Sequence, residues 1–212
     1  MSVPGRAAVR VKICGVTCVE DALHAVAAGA DALGVNLVAA SPRVVGADVA
    51  RAIVEAVGGR AKLVGVVADR PLDELVELRR ALGLDALQLC GSEPPELLQA
   101  LLPGAYKALR VADAADVAGA EAYGGDLLLV DAKLAGQLGG TGQSFDWRLV
   151  VELAARRPLV LAGGLGPHNV AEAIRTVRPA WVDVASGVEG ALGPRRKDAA
   201  RVRQFIEAAR SV

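Results

Sequence analysis

From residue 9 onward the chain alternates short, almost wholly apolar runs with longer stretches whose apolar residues return every three or four positions. The apolar runs predict strands at 9–14, 31–36, 62–67, 85–89, 105–109, 126–130, 158–162 and 180–184. The amphipathic stretches predict helices near 18–28, 47–57, 72–82, 93–101, 113–119, 145–155, 168–176 and 197–210. Strands with no polar face must be covered on both sides, which a parallel sheet with helical crossovers provides. Eight strand-then-helix units predict an α/β fold, a single-domain (β/α)8 TIM barrel over 1–212. A doubly wound open sheet is the alternative, disfavoured because eight regular units use nearly the whole length.

Local signals fit this register. Thr17 and Glu20 have capping-box spacing, Ser92 and Ser144 are placed to cap helices, and Gly166-Pro167 puts proline at a first helical position. Composition narrows the function. Lys+Arg and Asp+Glu both total 24, and aromatic residues make up 3% of the chain. A nucleic-acid surface needs a basic face or stacking aromatics, so none is expected. No apolar run approaches the roughly 20 residues of a membrane span, and Met1–Ala8 lacks the apolar core of a signal peptide. Three cysteines, Cys14, Cys18 and Cys90, are too few for a disulfide framework. Cys14 and Cys18 have metal-compatible spacing but no second cluster completes a site, so no metal is expected. Reduced thiols and a cytoplasmic location follow. Oligomeric state has no signal in the sequence.

In a parallel barrel the active site forms at the C-terminal strand ends. That rule selects Cys14, Asn36, Ala68-Asp69, Gln88-Cys90, Arg110, Asp131, Gly163-Gly164 and Asp183-Ser186. Cys14 is either a buried apolar filler or a reactive thiol beside Gly15; Cys90 is a weaker second candidate, and Cys18 a structural one. Asp131 precedes a glycine-rich stretch, 132–144, longer than connections in compact domains usually are. Gly139-Gly140-Thr141-Gly142, Gly163-Gly164 and Ser186-Gly187 offer backbone N–H groups where barrels of this kind bind phosphate. Arg43 is either solvated or a bidentate clamp on an anion. Lys12 shares a strand face with Cys14 and must point inward; a buried charge needs a partner, and Asp183 is the predicted one.

Together, Lys12-Ile13-Cys14-Gly15, Ser41-Pro42-Arg43, Leu87-Gln88-Leu89, the run from Gly139 to Phe145-Asp146-Trp147, Leu161-Ala162-Gly163-Gly164-Leu165 and Val182 to Glu189 resemble, in order, the phosphoribosylanthranilate isomerase family, ending at Lys197-Asp198. The resemblance implies an Amadori rearrangement in tryptophan biosynthesis on a small phosphoribosyl substrate, with no cofactor. It implies Asp131 as general acid, Cys14 as general base, and Arg43 on the anthranilate carboxylate. Asp183 would line the pocket, and Gly142, Gly163, Gly164, Ser186 and Gly187 would hold the phosphate. The chain departs from the family pattern at Cys90, where histidine is usual. It departs also at Asn36-Leu37-Val38, where aromatics are usual, and in a longer connection at 190–196. Two other readings stand beside it. One is indoleglycerol-phosphate synthase, for which Lys107 and Lys133 would be the catalytic lysines. The other is a barrel that binds phosphosugars without turnover.

Overall fold

The structure, a computed structural model, describes residues 8–132 and 145–212. Eight parallel strands close into a barrel in sequence order, each hydrogen-bonded to the next and the eighth to the first. They are β1 Arg10–Cys14, β2 Ala32–Asn36, β3 Lys62–Val67, β4 Ala86–Leu89, β5 Ala105–Val111, β6 Leu128–Ala132, β7 Leu159–Leu161 and β8 Trp181–Val184. The helices are α1 Val19–Ala27, α2 Ala47–Val57, α3 Leu72–Leu82, α4 Pro95–Leu101, α5 Ala114–Ala118, α6 Val151–Arg156, α7 Val170–Val177 and α8 Ala199–Arg210. The closed ring decides between barrel and open sheet, because β1 pairs with both β2 and β8.

The packing forms two layers, and the alternation within each strand assigns residues to them. Ala32, Val64, Tyr106, Leu129, Val160 and Ala162 point inward and fill the barrel. Their strand neighbours, such as Leu33, Leu63, Leu128 and Leu161, point outward into a larger core shared with the helices. Ala50, Ile53 and Val57 of α2, and Val170, Ala173, Ile174 and Val177 of α7, are the buried stripes of the helical side. Burying one such aliphatic side chain is worth about 1.5–3 kcal/mol, so this double-faced burial is the main source of stability. Gly58 and Gly83 end α2 and α3 in the left-handed conformation, where a Cβ would be strained.

Several local expectations are corrected. Thr17 does not cap α1: Cys18 holds that position without a side-chain bond, and the Thr17 hydroxyl donates to the Arg195 carbonyl. The hydroxyl is engaged by a tertiary acceptor instead of accepting from the N–H groups of the first helical turn. Pro94, not Ser92, sits at the start of α4. Pro167 precedes the first residue of α7 by three positions, and Asn169 takes the cap position. The helix expected at 145–155 begins as a 3-10 turn, Trp147–Val150. Residue 131 lies inside β6, not just after it. Ser144 falls outside the described residues.

Candidate active site

Residues that alternate inward along the strands arrive at the C-terminal mouth as a ring of chemistry. Cys14 ends β1, Asn36 ends β2, Arg110 and Asp131 face in from β5 and β6, and Asp183 faces in from β8. They line one cavity of about 560 Å³, together with Arg43, Gly163, Gly164 and Ser186. Of the expected site residues, Cys14, Asp131, Arg43, Asp183, Gly163, Gly164 and Ser186 are therefore brought to a single space. Gly187 is not on its wall. A Cβ there would lie 2.0 Å from the Leu165 carbonyl oxygen, so this glycine lets the loops after β7 and β8 touch. Gly142, Gly139-Gly140-Thr141 and Lys133 lie outside the described residues.

Beneath the mouth runs a buried polar chain. Lys12 Nζ donates to Asp183 Oδ2 at 3.0 Å and to Gln88 Oε1 at 2.9 Å, and the Tyr106 hydroxyl donates to the same Gln88 oxygen at 3.0 Å. The predicted Lys12–Asp183 pair is present, with both side chains buried. Burial alone would pull the Lys12 ammonium down. Asp183, aided by Cys14 and Tyr106, more than reverses this and holds it well above the ordinary lysine value. The other oxygen, Asp183 Oδ1, is buried and has no hydrogen-bond partner among the described residues, an acceptor in the cavity wall.

Cys14 sits two residues above Lys12 on the same face. Burial first, then the Asp183 carboxylate, pushes its thiol above the ordinary value, while Lys12 and Lys197 pull the other way. Gly34 on β2 makes room for the thiol: a Cβ there would come within 2.8 Å of the Cys14 sulfur. Gly163 does the same for the acid, since its Cβ would lie 2.9 Å from Asp131 Oδ1 and 2.6 Å from the Ala132 amide nitrogen. Cys90, the second thiol candidate, is pushed up to about 12 by burial and accepts from Gln88 Nε2 at 3.2 Å. It is a neutral thiol at neutral pH.

Arg43 lies across Gly15, whose backbone is left-handed at φ +70° and where a Cβ would meet the arginine stem. Its Nε and Nη2 form a bidentate pair with Glu189, at 2.6 and 2.9 Å. Glu189 also accepts from the buried Lys197 at 2.9 Å. Desolvation would raise the Glu189 carboxyl, but the bonds from Arg43 and Lys197 win and hold it below the ordinary value. The pair takes Nε and one Nη2 bond and leaves Nη1, on a residue that lines the cavity. Glu189 and Lys197 were not singled out as site residues, because neither lies at a strand end. The long connection at 190–196 is pinned beside them. Arg195 Nη1 donates to the Val44 carbonyl at 3.0 Å, Arg196 pairs with Glu20 and Asp21, and Pro194 reaches the cavity wall.

Lys107 has no place in this cavity. It points outward from β5, buried against Glu93 at 2.7 Å, and donates to the Gly91 carbonyl at 2.6 Å. This removes the described lysine on which the indoleglycerol-phosphate synthase reading relied. Among the described residues no group of three or more His, Cys, Asp or Glu side chains is arranged to hold a metal ion. No helix among them is long and apolar enough to cross a membrane.

The model of the family described as N-(5'-phosphoribosyl)anthranilate (PRA) isomerase matches residues 11–208. The chain belongs to this family. N-(5'-phosphoribosyl)anthranilate isomerase of Pseudomonas aeruginosa (strain LESB58) is 48% identical over 207 residues, covering 96% of each chain. That of Myxococcus xanthus is 46% identical over 209 residues, covering 96% of this chain and 97% of the relative. The crystal structure of phosphoribosyl anthranilate isomerase from Thermotoga maritima superposes with a TM-score of 0.88 at 37% identity, covering 96% of this chain and 100% of the other. Another solved isomerase, in complex with reduced 1-(o-carboxyphenylamino)-1-deoxyribulose 5-phosphate, has a TM-score of 0.85 at 36% identity, covering 96% and 100%. The protein is accordingly an isomerase of tryptophan biosynthesis, as the resemblance implies, built as the (β/α)8 barrel that the residue pattern predicts.

Proposed function

We propose that this chain converts N-(5'-phosphoribosyl)anthranilate to 1-(2-carboxyphenylamino)-1-deoxyribulose 5-phosphate with Asp131 as acid and Cys14 as base. The observation that carries this assignment is that both side chains line one cavity, with the glycine-bearing ends of β7 and β8 on its wall. The phosphate would rest on the backbone N–H groups around Gly163, Gly164 and Ser186, where barrels of this type favour an anion. The ribose then lies between β1 and β6, within reach of both groups.

Asp131 in its protonated form gives its proton to the furanose ring oxygen. The C1–oxygen bond breaks and the anthranilate nitrogen becomes a protonated imine. Cys14 as thiolate takes the C2 proton, and the electron pair moves to form the enolamine. Reprotonation at C1, with loss of the C2 hydroxyl proton, yields the ketone, so the protons given and taken balance and no atom is gained or lost. A base acts best with a pKa near the working pH, yet burial and Asp183 hold the Cys14 thiol high. Lys12 and Lys197 are the cations that counter this, and we assign them the task of making the thiolate accessible. Asp183 Oδ1, the unpartnered buried acceptor, is suited to a ribose hydroxyl. We further infer a cytoplasmic enzyme, in keeping with three free cysteines.

The test is turnover of N-(5'-phosphoribosyl)anthranilate by the purified protein, followed as loss of substrate fluorescence. Tight binding of the reduced product analogue without turnover would instead support the non-catalytic phosphosugar-binding reading.

A further inference from the structure

We infer that Glu189 is a positioning residue for the ligand carboxylate: it grips one edge of the Arg43 guanidinium and so aims the other edge into the cavity. The inference rests on the proposal above, with Arg43 on the anthranilate carboxylate as the family resemblance implies, and names what holds that arginine in place.

A guanidinium is planar and rigid, so fixing one edge fixes the direction of the other. Glu189 takes the edge made by Nε and Nη2, at 2.6 and 2.9 Å. The remaining edge, Nη1 with the second Nη2 hydrogen, is left to a ligand, on a largely buried side chain that lines the cavity. The arginine stem has little freedom to swing, because it lies across Gly15, where a Cβ would collide with Arg43 Cδ. Glu189 is itself held. Its backbone pairs with Lys197 in an isolated antiparallel bridge, and its carbonyl accepts from Arg201 Nη1 at 2.6 Å.

Charge points the same way. Lys12 is matched by Asp183, and Arg110 has Asp131 beside it in the β5–β6 register. At this rim two cations share one carboxylate. Lys197 Nζ donates to Glu189 Oε1 at 2.9 Å, the oxygen that also accepts from Arg43 Nε. The cluster therefore keeps a net positive charge with Arg43 already paired. Lys197 Nζ also donates to the Ala185 carbonyl at 3.0 Å, which ties the cluster to the end of β8. The 3-10 turn Ser186–Val188 joins the wall proposed for the phosphate directly to Glu189. One short turn thus sets the spacing between the supports for the two anionic ends of the ligand.

Titration calorimetry with two ligands tests this: the reduced product analogue, and the same compound lacking the ring carboxylate. Glu189→Gln should weaken binding of the first about 10- to 100-fold, the range for losing a well-aimed charge-assisted hydrogen bond, and of the second less than about twofold. The sign is diagnostic. Removing the Glu189 charge makes the rim more positive, so a purely electrostatic role would tighten carboxylate binding, whereas a positioning role weakens it. Arg43→Lys keeps the charge but has no second edge, and should lose the same selectivity. In an Arg43→Met background, Glu189→Gln should add no further loss. Unchanged or tighter binding of the carboxylate-bearing analogue by Glu189→Gln would overturn the inference, as would equal losses for both ligands. Should Glu189→Gln fail to fold, wild-type selectivity in Arg43→Lys would overturn it instead. Wild-type protein that binds neither ligand would overturn the proposed function itself, a result distinct from loss of selectivity in the variants.

Discussion

Replacing Lys12 with methionine isolates the energetics at the base of the site. Lys12 and Asp183 are 2% and 7% exposed, so their 3.0 Å pair is screened little by water. Methionine fills a similar volume but leaves the Asp183 carboxylate buried, with Oδ1 lacking a partner among the described residues and Oδ2 stripped of its Lys12 donor. Breaking a buried pair from one side costs about 3–5 kcal/mol, a large share of a total stability of about 5–15 kcal/mol. At about 2–4 °C per kcal/mol for a chain of this size, the melting temperature should fall by about 6–20 °C. Urea unfolding of wild type, Lys12→Met, Asp183→Asn and the double variant at pH 7 is the assay. The double variant should cost less than the sum of the singles, because no uncompensated charge remains. The pH dependence has a definite sign. The native Lys12 pKa is raised, so the pair's contribution is complete below the unfolded lysine value of about 10.4. It disappears as pH climbs beyond that through the native value, narrowing the gap between wild type and Lys12→Met. A Lys12→Met variant within about 1 kcal/mol of wild type at pH 7, or strictly additive costs, would refute the argument.

Four further outcomes are expected. Cys14→Ala and Asp131→Asn should each lower kcat about 10²- to 10⁴-fold while melting near the wild-type temperature; near-normal turnover in either would remove that residue from its role. The base must be deprotonated to act, so kcat/KM should rise with pH. Because burial and Asp183 raise the thiol, the midpoint should lie above the ordinary cysteine value of about 8.5, and a clearly lower midpoint would assign the limb to another group. Gly163→Ala places a Cβ at a left-handed position 2.6 Å from the Ala132 amide. It should lose at least about 1–2 kcal/mol of stability and shift kcat through Asp131, as melting and initial rates would show. Glu93→Gln strands the buried Lys107 charge outside the cavity, so stability should fall by about 3–5 kcal/mol with KM unchanged; a raised KM would place that pair in the site after all.

What could be read from the chain follows from how local each determinant is. The barrel was legible because every strand is a short apolar run and every helix carries its own stripe, information contained within ten or so residues. The inward Lys12 was legible for the same reason, since period-2 alternation below Cys14 forces it inward, whereas its partner Asp183, 171 residues on, had no direct support in the sequence and is met only when the eighth strand closes on the first. Thr17 misled because its hydroxyl can either accept from a helix N–H or donate elsewhere, and the Arg195 carbonyl to which it donates, 178 residues away, is invisible to local spacing. The internal use of Arg43 was hidden likewise, since Glu189 lies 146 residues on and reaches it only after the barrel closes.

The Arg43–Glu189–Lys197 cluster, with Thr17 and Arg195 alongside, links the segments following the first, second and eighth strands. Those three connections are consequently not interchangeable parts. Transplanting any one of them into a related scaffold would separate a charge from its counter-charge or a donor from its acceptor, so redesign of this rim has to move all three together.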